Sequence, residues 1–378
     1  MFHVEHYKFG VYVHVPFCVS KCAYCDFYRV VDLGLADAYL DALASEIRGS
    51  AAAGLRPRTV YVGGGTPSCL GVSGLRKLLR TLRDGFDVGG VAEWTVECNP
   101  EDVTDELAGL LAASGVNRVS MGAQSLCDAA LRMMGRRHDA DRVSLAVGIL
   151  RDAGIKNISV DCIYGLPAVR EYSAADDFEK FVSLGVEHLS AYSLQYEEGS
   201  AFSRMVESGR LTPLPDDEVA EQYDVLTSVM REAGYHHYEI SNYAKPGFEA
   251  VHNSSYWDRT DYFGFGPSAS SLVNGRRITN VSDVAEYVAT CGGKKELVED
   301  VMADDVVYDE VVMLGLRTSR GVNPADVPAS FAQMFSMAVK KEVSLGNLVV
   351  LDDGCVRIPE ERWMVSDSII RDVAGFSV

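Results

Sequence analysis

Apolar positions over residues 10–200 switch repeatedly between the two-residue period of a strand and the 3.6-residue period of a helix. Residues 11–17 alternate as a short strand, and apolar residues then recur at helical spacing from Leu35 until Gly54 ends the helix. The same unit follows again, with an apolar strand over residues 59–62 and a helix that Ser73 caps. The pattern predicts a chain built from strand–helix units.

Six strands are predicted in this way, at residues 11–17, 59–62, 94–97, 118–124, 157–163 and 188–196. Short turns separate each strand from its helix, and this alternation is typical of a parallel sheet. A long helical run is predicted between the fourth and fifth strands, up to Gly154. We therefore predict an α/β fold, an open or partial (β/α)6 barrel related to the TIM barrel.

The alternation fades after residue 200. Helices are predicted at about 200–210 and 216–233, followed by a strand over Tyr235–Tyr243 and a loop-rich segment that reaches Gly264-Phe-Gly-Pro. The predicted division is a barrel over residues 1–200, an extension over 201–298 and a C-terminal domain over 299–378.

The C-terminal domain has a pattern of its own. Helices are predicted over Asp304–Leu316 and about 326–341, and an apolar hairpin turns at Asp353-Gly354. Helices followed by a hairpin resemble a small α+β winged-helix-like domain. Such domains often bind DNA, but the charge of this chain argues against that use here.

Composition narrows the possible partners. The formal net charge of −19 opposes docking on phosphate backbones, because Lys and Arg supply that affinity. The stretch MFHVEHYKFG lacks the apolar region of a signal peptide, and no run approaches the eighteen apolar residues of a membrane span. We therefore expect a cytoplasmic protein, in which disulfides are rare and clustered cysteines bind metal.

Three of the nine cysteines, Cys18, Cys22 and Cys25, lie within eight residues. Thiolates at this spacing can converge on a soft metal centre, either zinc or an iron–sulfur cluster. Zinc sites favour two C-x2-C pairs, and the chain has no second pair. Three ligands on a four-iron cluster would leave one iron open for a further ligand. The other six cysteines are scattered, and we expect reduced, mostly buried small side chains.

Polar residues and glycines recur where the predicted strands end. Because ligands gather at the carboxyl ends of parallel strands, these residues are expected to share one pocket. They are Gly64, Gly65 and Thr66 after the second strand, Glu97 after the third, Gln124 after the fourth, Asp161 in the fifth and Gln195 in the sixth.

The segment Tyr12-Val-His-Val-Pro-Phe-Cys18, continued by C-x3-C-x2-C, resembles the cluster loop of radical S-adenosylmethionine (SAM) proteins. The resemblance is to the branch that holds the oxygen-independent coproporphyrinogen III oxidases (HemN) and the HemW-type haem chaperones. It implies a [4Fe-4S] cluster on the three cysteines, with SAM chelated by the open iron. In that superfamily electron transfer from the cluster cleaves SAM to a 5′-deoxyadenosyl radical.

The resemblance also implies roles for residues outside the cluster loop. The Gly64–Thr66 loop would contact the methionyl part of SAM, and it lacks the Lys of a phosphate-binding loop. The other SAM positions that it implies are Tyr12, Tyr24, Glu97, Gln124, Arg136, Asp161 and, more weakly, Gln195. A glycine-rich turn, packed aromatics and solvated strand-end charges are the structural alternatives.

A second segment, His252-Asn253-x-x-Tyr256-Trp257, matches a motif that HemW-like proteins associate with haem. Imidazole is the usual axial ligand of haem iron, and aromatic neighbours can stack on a porphyrin. The resemblance therefore implies a haem ligand in His252, assisted by the other three residues. The alternative is a loop histidine whose hydrogen bonds are satisfied within the protein.

Two departures separate this chain from the oxidases. HemN proteins carry a fourth cysteine two residues after the third, where this chain has Phe27, and they have a longer segment before the cluster loop. The resemblance therefore implies a haem chaperone, with coproporphyrinogen III oxidation as the alternative. Its implied partners are haem, an acceptor protein that is membrane-associated in some cases, a flavodoxin or ferredoxin as electron donor, and a second copy of the chain.

Overall fold

The computed structural model describes residues 9–26, 28–169 and 171–375. Phe27 lies outside these ranges. Six strand–helix units open the described chain, in the order predicted from the sequence. They are β1 (Gly10–Val15), α1 (Ala36–Gly49), β2 (Thr59–Gly64), α2 (Gly71–Gly85), β3 (Glu93–Cys98), α3 (Asp105–Ser114), β4 (Arg118–Gln124), α4 (Asp128–Met134), α5 (Ala140–Asp152), β5 (Asn157–Tyr164), α6 (Ala174–Ser183) and β6 (His188–Ser193).

The long helical run predicted before Gly154 is two helices in the structure. Gly135 follows α4 in a left-handed conformation with φ of 74°, and a helix cannot continue through that backbone angle. The Asp139 side chain then accepts the backbone N–H of Arg142 and begins α5. The sixth strand also ends earlier than predicted, so Gln195 lies in the loop after β6.

The segment after residue 200 contains more regular structure than the sequence predicted. The predicted strand over Tyr235–Tyr243 is a hairpin of two strands, and the segment expected to be loop-rich contains one helix and one strand. The elements are α7 (Ala201–Glu207), α8 (Asp216–Glu232), β7 (His236–Glu239), β8 (Asn242–Ala244), α9 (Val251–Trp257), β9 (Tyr262–Phe265), β10 (Ser270–Val273), β11 (Arg276–Asn280), α10 (Val284–Thr290) and β12 (Lys295–Asp300).

The C-terminal segment folds into helices and a hairpin, as the sequence predicted. The hairpin pairs Val350 with Val356 across the Asp353-Gly354 turn. The elements are α11 (Asp304–Gly315), α12 (Ala332–Ser344), β13 (Val349–Val350), β14 (Val356–Arg357) and α13 (Ser366–Ala374).

Twelve strands of the described chain form one sheet, in the order β12-β11-β10-β9-β1-β2-β3-β4-β5-β6-β8-β7. The strands from β1 to β6 are parallel, and β9 also runs parallel to β1. The remaining pairings are antiparallel and extend the sheet on both sides. Within the described residues the sheet does not close, which agrees with the predicted open barrel.

The two faces of the strands differ in chemistry. In β1, Val11, Val13 and Val15 are fully buried against the core, while Tyr12 and His14 face a cavity lined by neighbouring strands. The valines belong to a core that also includes residues of the C-terminal helices, such as Tyr308. Burial of apolar area is the main stabilising term in a core of this kind. No helix in the described ranges is long and apolar enough to cross a membrane.

Candidate cluster and cofactor site

One cavity of about 500 Å³ lies at the carboxyl ends of the parallel strands. It brings together residues that the sequence places up to 241 positions apart, as the arrangement of parallel strand ends requires. The predicted site residues that line it are Tyr12, Cys18, Cys22, Tyr24, Cys25, Gly64, Gly65, Thr66, Glu97, Gln124, Arg136, Asp161, Gln195 and Asn253.

The three thiols of the cysteine loop each contact a different polar side chain. Cys18 Sγ lies 3.4 Å from the hydroxyl of Thr66, and the Cys22 Sγ accepts a hydrogen bond of 3.4 Å from Arg136 Nη1. Arg29 Nη1 donates to Cys25 Sγ at 3.0 Å. The guanidinium groups of Arg29, which follows the cysteine loop, and Arg136, which follows α4, therefore both face the thiols.

The glycine loop after β2 holds the beginning of the cysteine loop by its backbone. Gly65 N donates to the carbonyl of Val15 and Thr66 N to the carbonyl of Phe17, both at 2.7 Å. A Cβ atom on Gly65 would lie 2.5 Å from the Phe17 carbonyl oxygen, so only glycine allows this approach. The backbone of this loop therefore packs closely against the chain directly before Cys18.

The donor set fits an iron–sulfur cluster. Three thiols line one cavity, and the neighbouring guanidinium groups offset the negative charge that thiolates and sulfide bring. Among the described residues, no three His, Cys, Asp or Glu side chains lie close enough to hold a single metal ion. A four-iron cluster binds each thiolate at a different iron atom, so it does not require ligands gathered at one point.

Two buried carboxyl groups face the same cavity. Glu97 accepts the hydroxyl of Tyr61 at 2.6 Å and the backbone N–H of Gly64 at 3.2 Å, and burial raises its pKa to about 7. Asp161 lies beside the Ser120 hydroxyl, 3.5 Å away, and burial raises its pKa to about 6. Perturbed carboxyl groups in a cleft are typical of functional sites.

Arg136 and Gln124 contribute two further features of the cavity. Arg136 Nη2 donates to Asn99 Oδ1 at 2.8 Å and to the Gly122 carbonyl at 2.6 Å, which orients the guanidinium toward Cys22. Gln124 has φ of 69°, a left-handed conformation that is uncommon for a residue with a side chain and concentrates at functional sites. Sequence reasoning missed Asn99, although it lies two positions after Glu97.

Arg118 also lines the cavity and was missed by sequence reasoning. It is 1% exposed, and its Nε lies 4.0 Å from the carboxylate of Glu93, which is 2% exposed. Both residues lie at the amino ends of their strands, whereas the sequence predicted ligands at the carboxyl ends. The cavity therefore extends along the strands toward their amino ends, where Asn253 lines it.

His252 lies at those amino ends, away from the cysteine loop. Its ring is fully buried, Nδ1 lies 2.8 Å from the Thr59 hydroxyl, and Nε2 lies 2.8 Å from the Tyr256 hydroxyl. The ring stacks on Tyr61, and burial lowers its pKa to about 3. The hydrogen bonds of His252 are therefore satisfied within the protein, as in the alternative to a haem ligand. An axial role would require one ring nitrogen to give up its hydrogen-bond partner and the buried ring to become accessible.

Trp257 faces a different cavity from the one that holds the cysteines. This second cavity, which we call the lateral cleft, has a volume of about 320 Å³ and lies between β7, α9 and the C-terminal helix α11. Its lining includes His236, Glu249 and Arg320. Asn253 thus lines the cysteine cavity, Trp257 lines the lateral cleft and His252 is fully buried, so the residues of the predicted haem motif do not share one cavity.

Comparisons with known proteins agree with the fold and the cysteine loop. Residues 12–182 match the Radical SAM superfamily. The structure of the radical SAM enzyme coproporphyrinogen III oxidase (HemN) from Escherichia coli is similar over 98% of this chain and 90% of that one, with a TM-score of 0.82 and 21% identity. At that identity the similarity shows the fold. The open sheet and the three-thiol loop are those of a radical SAM protein, a class whose members carry a [4Fe-4S] cluster and bind SAM.

Curated relatives define the group within that class. The heme chaperone HemW of Lactococcus lactis is 38% identical, over 83% of this chain and 82% of the relative. HemW of Escherichia coli is 33% identical over 70% of each chain. The mitochondrial radical S-adenosyl methionine domain-containing protein 1 of Mus musculus is 34% identical, over 96% of this chain and 86% of the relative. The chain belongs to the HemW family of the radical SAM superfamily.

Proposed function

We propose that this protein is a cytoplasmic haem chaperone that carries a [4Fe-4S] cluster and SAM, binds haem and transfers it to an acceptor protein. The observation that supports the cofactor part is the convergence of the three thiols and the SAM-type residues in one cavity. The haem part is supported by the HemW relatives, whose names describe heme chaperones.

In this proposal Cys18, Cys22 and Cys25 hold the cluster, and Arg29 and Arg136 stabilise its charge. A bound cluster supplies an electron and an open iron position for SAM. The side chains of this chain bind and orient the SAM molecule. The groups assigned to it are the Gly64–Thr66 backbone and the side chains of Tyr12, Tyr24, Glu97, Gln124, Arg136, Asp161 and Gln195.

Glu97 and Asp161 have the chemistry that such a ligand needs. A carboxylate accepts hydrogen bonds from ribose hydroxyls or from the amino group of SAM, and it attracts the sulfonium charge. Burial raises the pKa of Glu97 to about 7, so its charge changes near neutral pH. We therefore propose that Glu97 contributes most of its attraction above about pH 7.

The cluster assignment is tested by iron and sulfide analysis after anaerobic reconstitution. Wild-type protein should hold about four irons per chain, and Cys18→Ala, Cys22→Ala or Cys25→Ala should each lose most of them. Cys291→Ala is the matched control, because Cys291 is exposed and far from the loop in sequence. Full iron retention in the triple alanine variant, or a fourth protein ligand on the cluster, would refute the assignment.

The chaperone and oxidase functions are separated by two parallel assays on the reconstituted protein. We expect haem uptake, seen as a Soret band, and no conversion of coproporphyrinogen III to protoporphyrinogen IX with SAM and a reductant. The 5′-deoxyadenosine released in the second assay reports SAM cleavage independently. Catalytic conversion of coproporphyrinogen III would make the protein an oxidase despite Phe27.

A further inference from the structure

The histidines of the described chain differ sharply in accessibility. Two of the eight, His3 and His6, lie outside the described residues. Of the remaining six, five are buried, and these are His14, His138, His188, His237 and His252. His236 is the one described histidine whose side chain is well exposed, at 55%.

The buried histidines are also occupied by the protein. Both ring nitrogens of His138, His188, His237 and His252 lie within hydrogen-bond distance of a protein oxygen. His14 faces the cysteine cavity, where its Nδ1 contacts the Tyr12 hydroxyl. Haem iron needs an imidazole nitrogen with a free lone pair and room for the flat porphyrin ring. Among the described histidines outside the cysteine cavity, His236 alone is exposed and lines a cleft.

His236 begins β7 and lines the lateral cleft with a carboxylate beside it. The His236 Nδ1 lies 3.7 Å from Glu249 Oε1. At this distance the carboxylate does not hydrogen-bond the ring, but its charge favours the tautomer with the proton on Nδ1, which leaves Nε2 as the nitrogen that can coordinate a metal.

The other walls of the lateral cleft carry aromatic, apolar and cationic side chains beside the carboxyl groups of Glu239, Asp258 and Asp326. Trp257 offers an aromatic surface, and Val311 and Val322 add apolar contacts. The Arg320 side chain, 63% exposed, stands at the cleft and lies 3.8 Å from Asp258. An exposed guanidinium of this kind can bind a carboxylate such as a haem propionate.

The size of the cleft suits transfer rather than permanent storage. Ligand pockets that enclose a drug-sized molecule span about 300–1,000 Å³, and the lateral cleft, at about 320 Å³, lies at the lower limit. It can admit one edge of a porphyrin while the rest stays accessible. A ligand that is held by one axial bond and one edge can be taken over by another protein.

We infer that haem binds in the lateral cleft with His236 as an axial ligand of the iron and Glu249 as the positioning residue. The step is a ligand exchange, in which the Nε2 lone pair replaces a water or other weak ligand and no electron is transferred. This inference rests on the proposed haem-binding function, and it places the haem away from the cluster cavity and from the buried His252.

The test is a haem titration of anaerobic, cluster-loaded protein, followed by difference absorption and by electron paramagnetic resonance of ferric haem. His236→Ala should weaken haem affinity by about tenfold or more and remove the histidine-ligated signature. Added imidazole should restore that signature. Glu249→Gln should weaken affinity to a smaller degree, and the exposed Lys156→Ala is the control with unchanged binding.

Iron-free protoporphyrin IX separates the axial bond from contacts with the ring. Because that ring carries no iron, its affinity should be the same for wild type and His236→Ala. Equal loss of both ligands would show that the substitution damages the cleft and would overturn the axial role. A haem affinity and spectrum unchanged in His236→Ala would overturn the inference while leaving the proposed function intact.

Two further outcomes separate the inference from its foundation. If wild-type protein binds no haem, the proposed function fails and the inference with it. If His252→Ala loses haem while His236→Ala keeps it, the motif histidine is the ligand. Because His252→Ala also opens a cavity in the core, Tyr256→Phe is measured beside it, and we expect that variant to bind haem normally.

Discussion

Gly65 shows how one missing side chain determines the position of the cysteine loop. Its backbone lies so close to Phe17 that a Cβ atom would meet the carbonyl oxygen at 2.5 Å, and backbone cannot move aside as a flexible side chain can. Phe17 immediately precedes Cys18, so any displacement there moves the first cluster ligand. The sequence showed three glycines at a strand end, but not which of them was sterically required.

Gly65→Ala should therefore weaken both stability and cluster binding. Overpacking of this kind costs about 1–3 kcal/mol of unfolding free energy. Urea unfolding and iron content after reconstitution measure the two effects. Gly109→Ala is the matched control: nothing lies within 4 Å of its Cβ position in α3, and we expect a gain of about 0.5–1 kcal/mol. Wild-type stability and iron content in Gly65→Ala would contradict this prediction.

Glu239 is a buried carboxyl group near the lateral cleft. It is 1% exposed, one oxygen accepts the backbone N–H of Ser241 at 3.3 Å, and the other has no hydrogen-bond partner among the described residues. Burial raises its pKa from 4.5 to about 7. The folded protein thus keeps a proton that the unfolded chain loses at lower pH.

This raised pKa sets the sign of a pH effect on stability. Between about pH 4.5 and 7 the folded state binds more protons at Glu239 than the unfolded state, so the contribution to stability falls as pH rises through that window. Glu239→Gln cannot ionise. The unfolding free energy of Glu239→Gln relative to that of wild type should therefore increase by about 1–3 kcal/mol between about pH 5 and about pH 8.

Urea unfolding of both proteins at the two pH values measures the change. Glu296→Gln removes one exposed charge and is the control. A constant difference between wild type and Glu239→Gln across this range would show that Glu239 is ionised in the folded state throughout.

At the scale of elements, helix α9 depends on a strand that is distant in sequence. The backbone N–H groups of Val251 and His252 donate to the Glu93 carboxylate at 2.9 and 3.0 Å, and Glu93 belongs to β3. A carboxylate at a helix amino end is favourable because it meets the unpaired N–H groups and the helix dipole. The segment lacks a local capping side chain, which is why the sequence predicted a loop there.

Glu93→Ala should remove this cap and the carboxylate that lies 4.0 Å from the buried Arg118 Nε. Breaking a buried ion pair from one side costs about 3–5 kcal/mol. Asp87→Ala, which removes the partner of Arg56 in an exposed pair, should cost less than about 1 kcal/mol. Chemical denaturation followed by far-ultraviolet circular dichroism compares the two. A loss for Glu93→Ala as small as that for Asp87→Ala would show that Arg118 finds another partner.

At the scale of the whole molecule, the parallel half of the sheet was the part most open to prediction. All six strands from β1 to β6 were predicted from the sequence, because each combines a short apolar run with a following helix of regular period. Of the strands that extend the sheet, β7 and β8 were predicted as a single strand, and β9 to β12 were not predicted. Strands β9, β10 and β11 are short and partly exposed, so their apolar patterns are weak.

The candidate site, like the sheet, was predicted in part. Fourteen residues named from motifs and strand ends line the cysteine cavity, which follows from the rule that parallel strand ends meet. Arg118 and Arg29 were missed, since one begins its strand and the other lies in the loop beyond the cysteines. His252 was predicted as a haem ligand, with a loop histidine of satisfied hydrogen bonds as the alternative, and its partner Thr59 lies 193 residues earlier, in β2.

The sequence alone determined the succession of strand and helix units, the cysteine spacing and the polar residues at the strand ends, because these depend on local periods and neighbouring residues. Only the tertiary structure decided which side chains are buried. It placed the imidazole of His252 between Thr59 and Tyr256, gave α9 its cap from Glu93 and left His236 exposed beside Glu249. Burial and hydrogen bonding between distant segments are set by packing, and a local pattern carries little information about them.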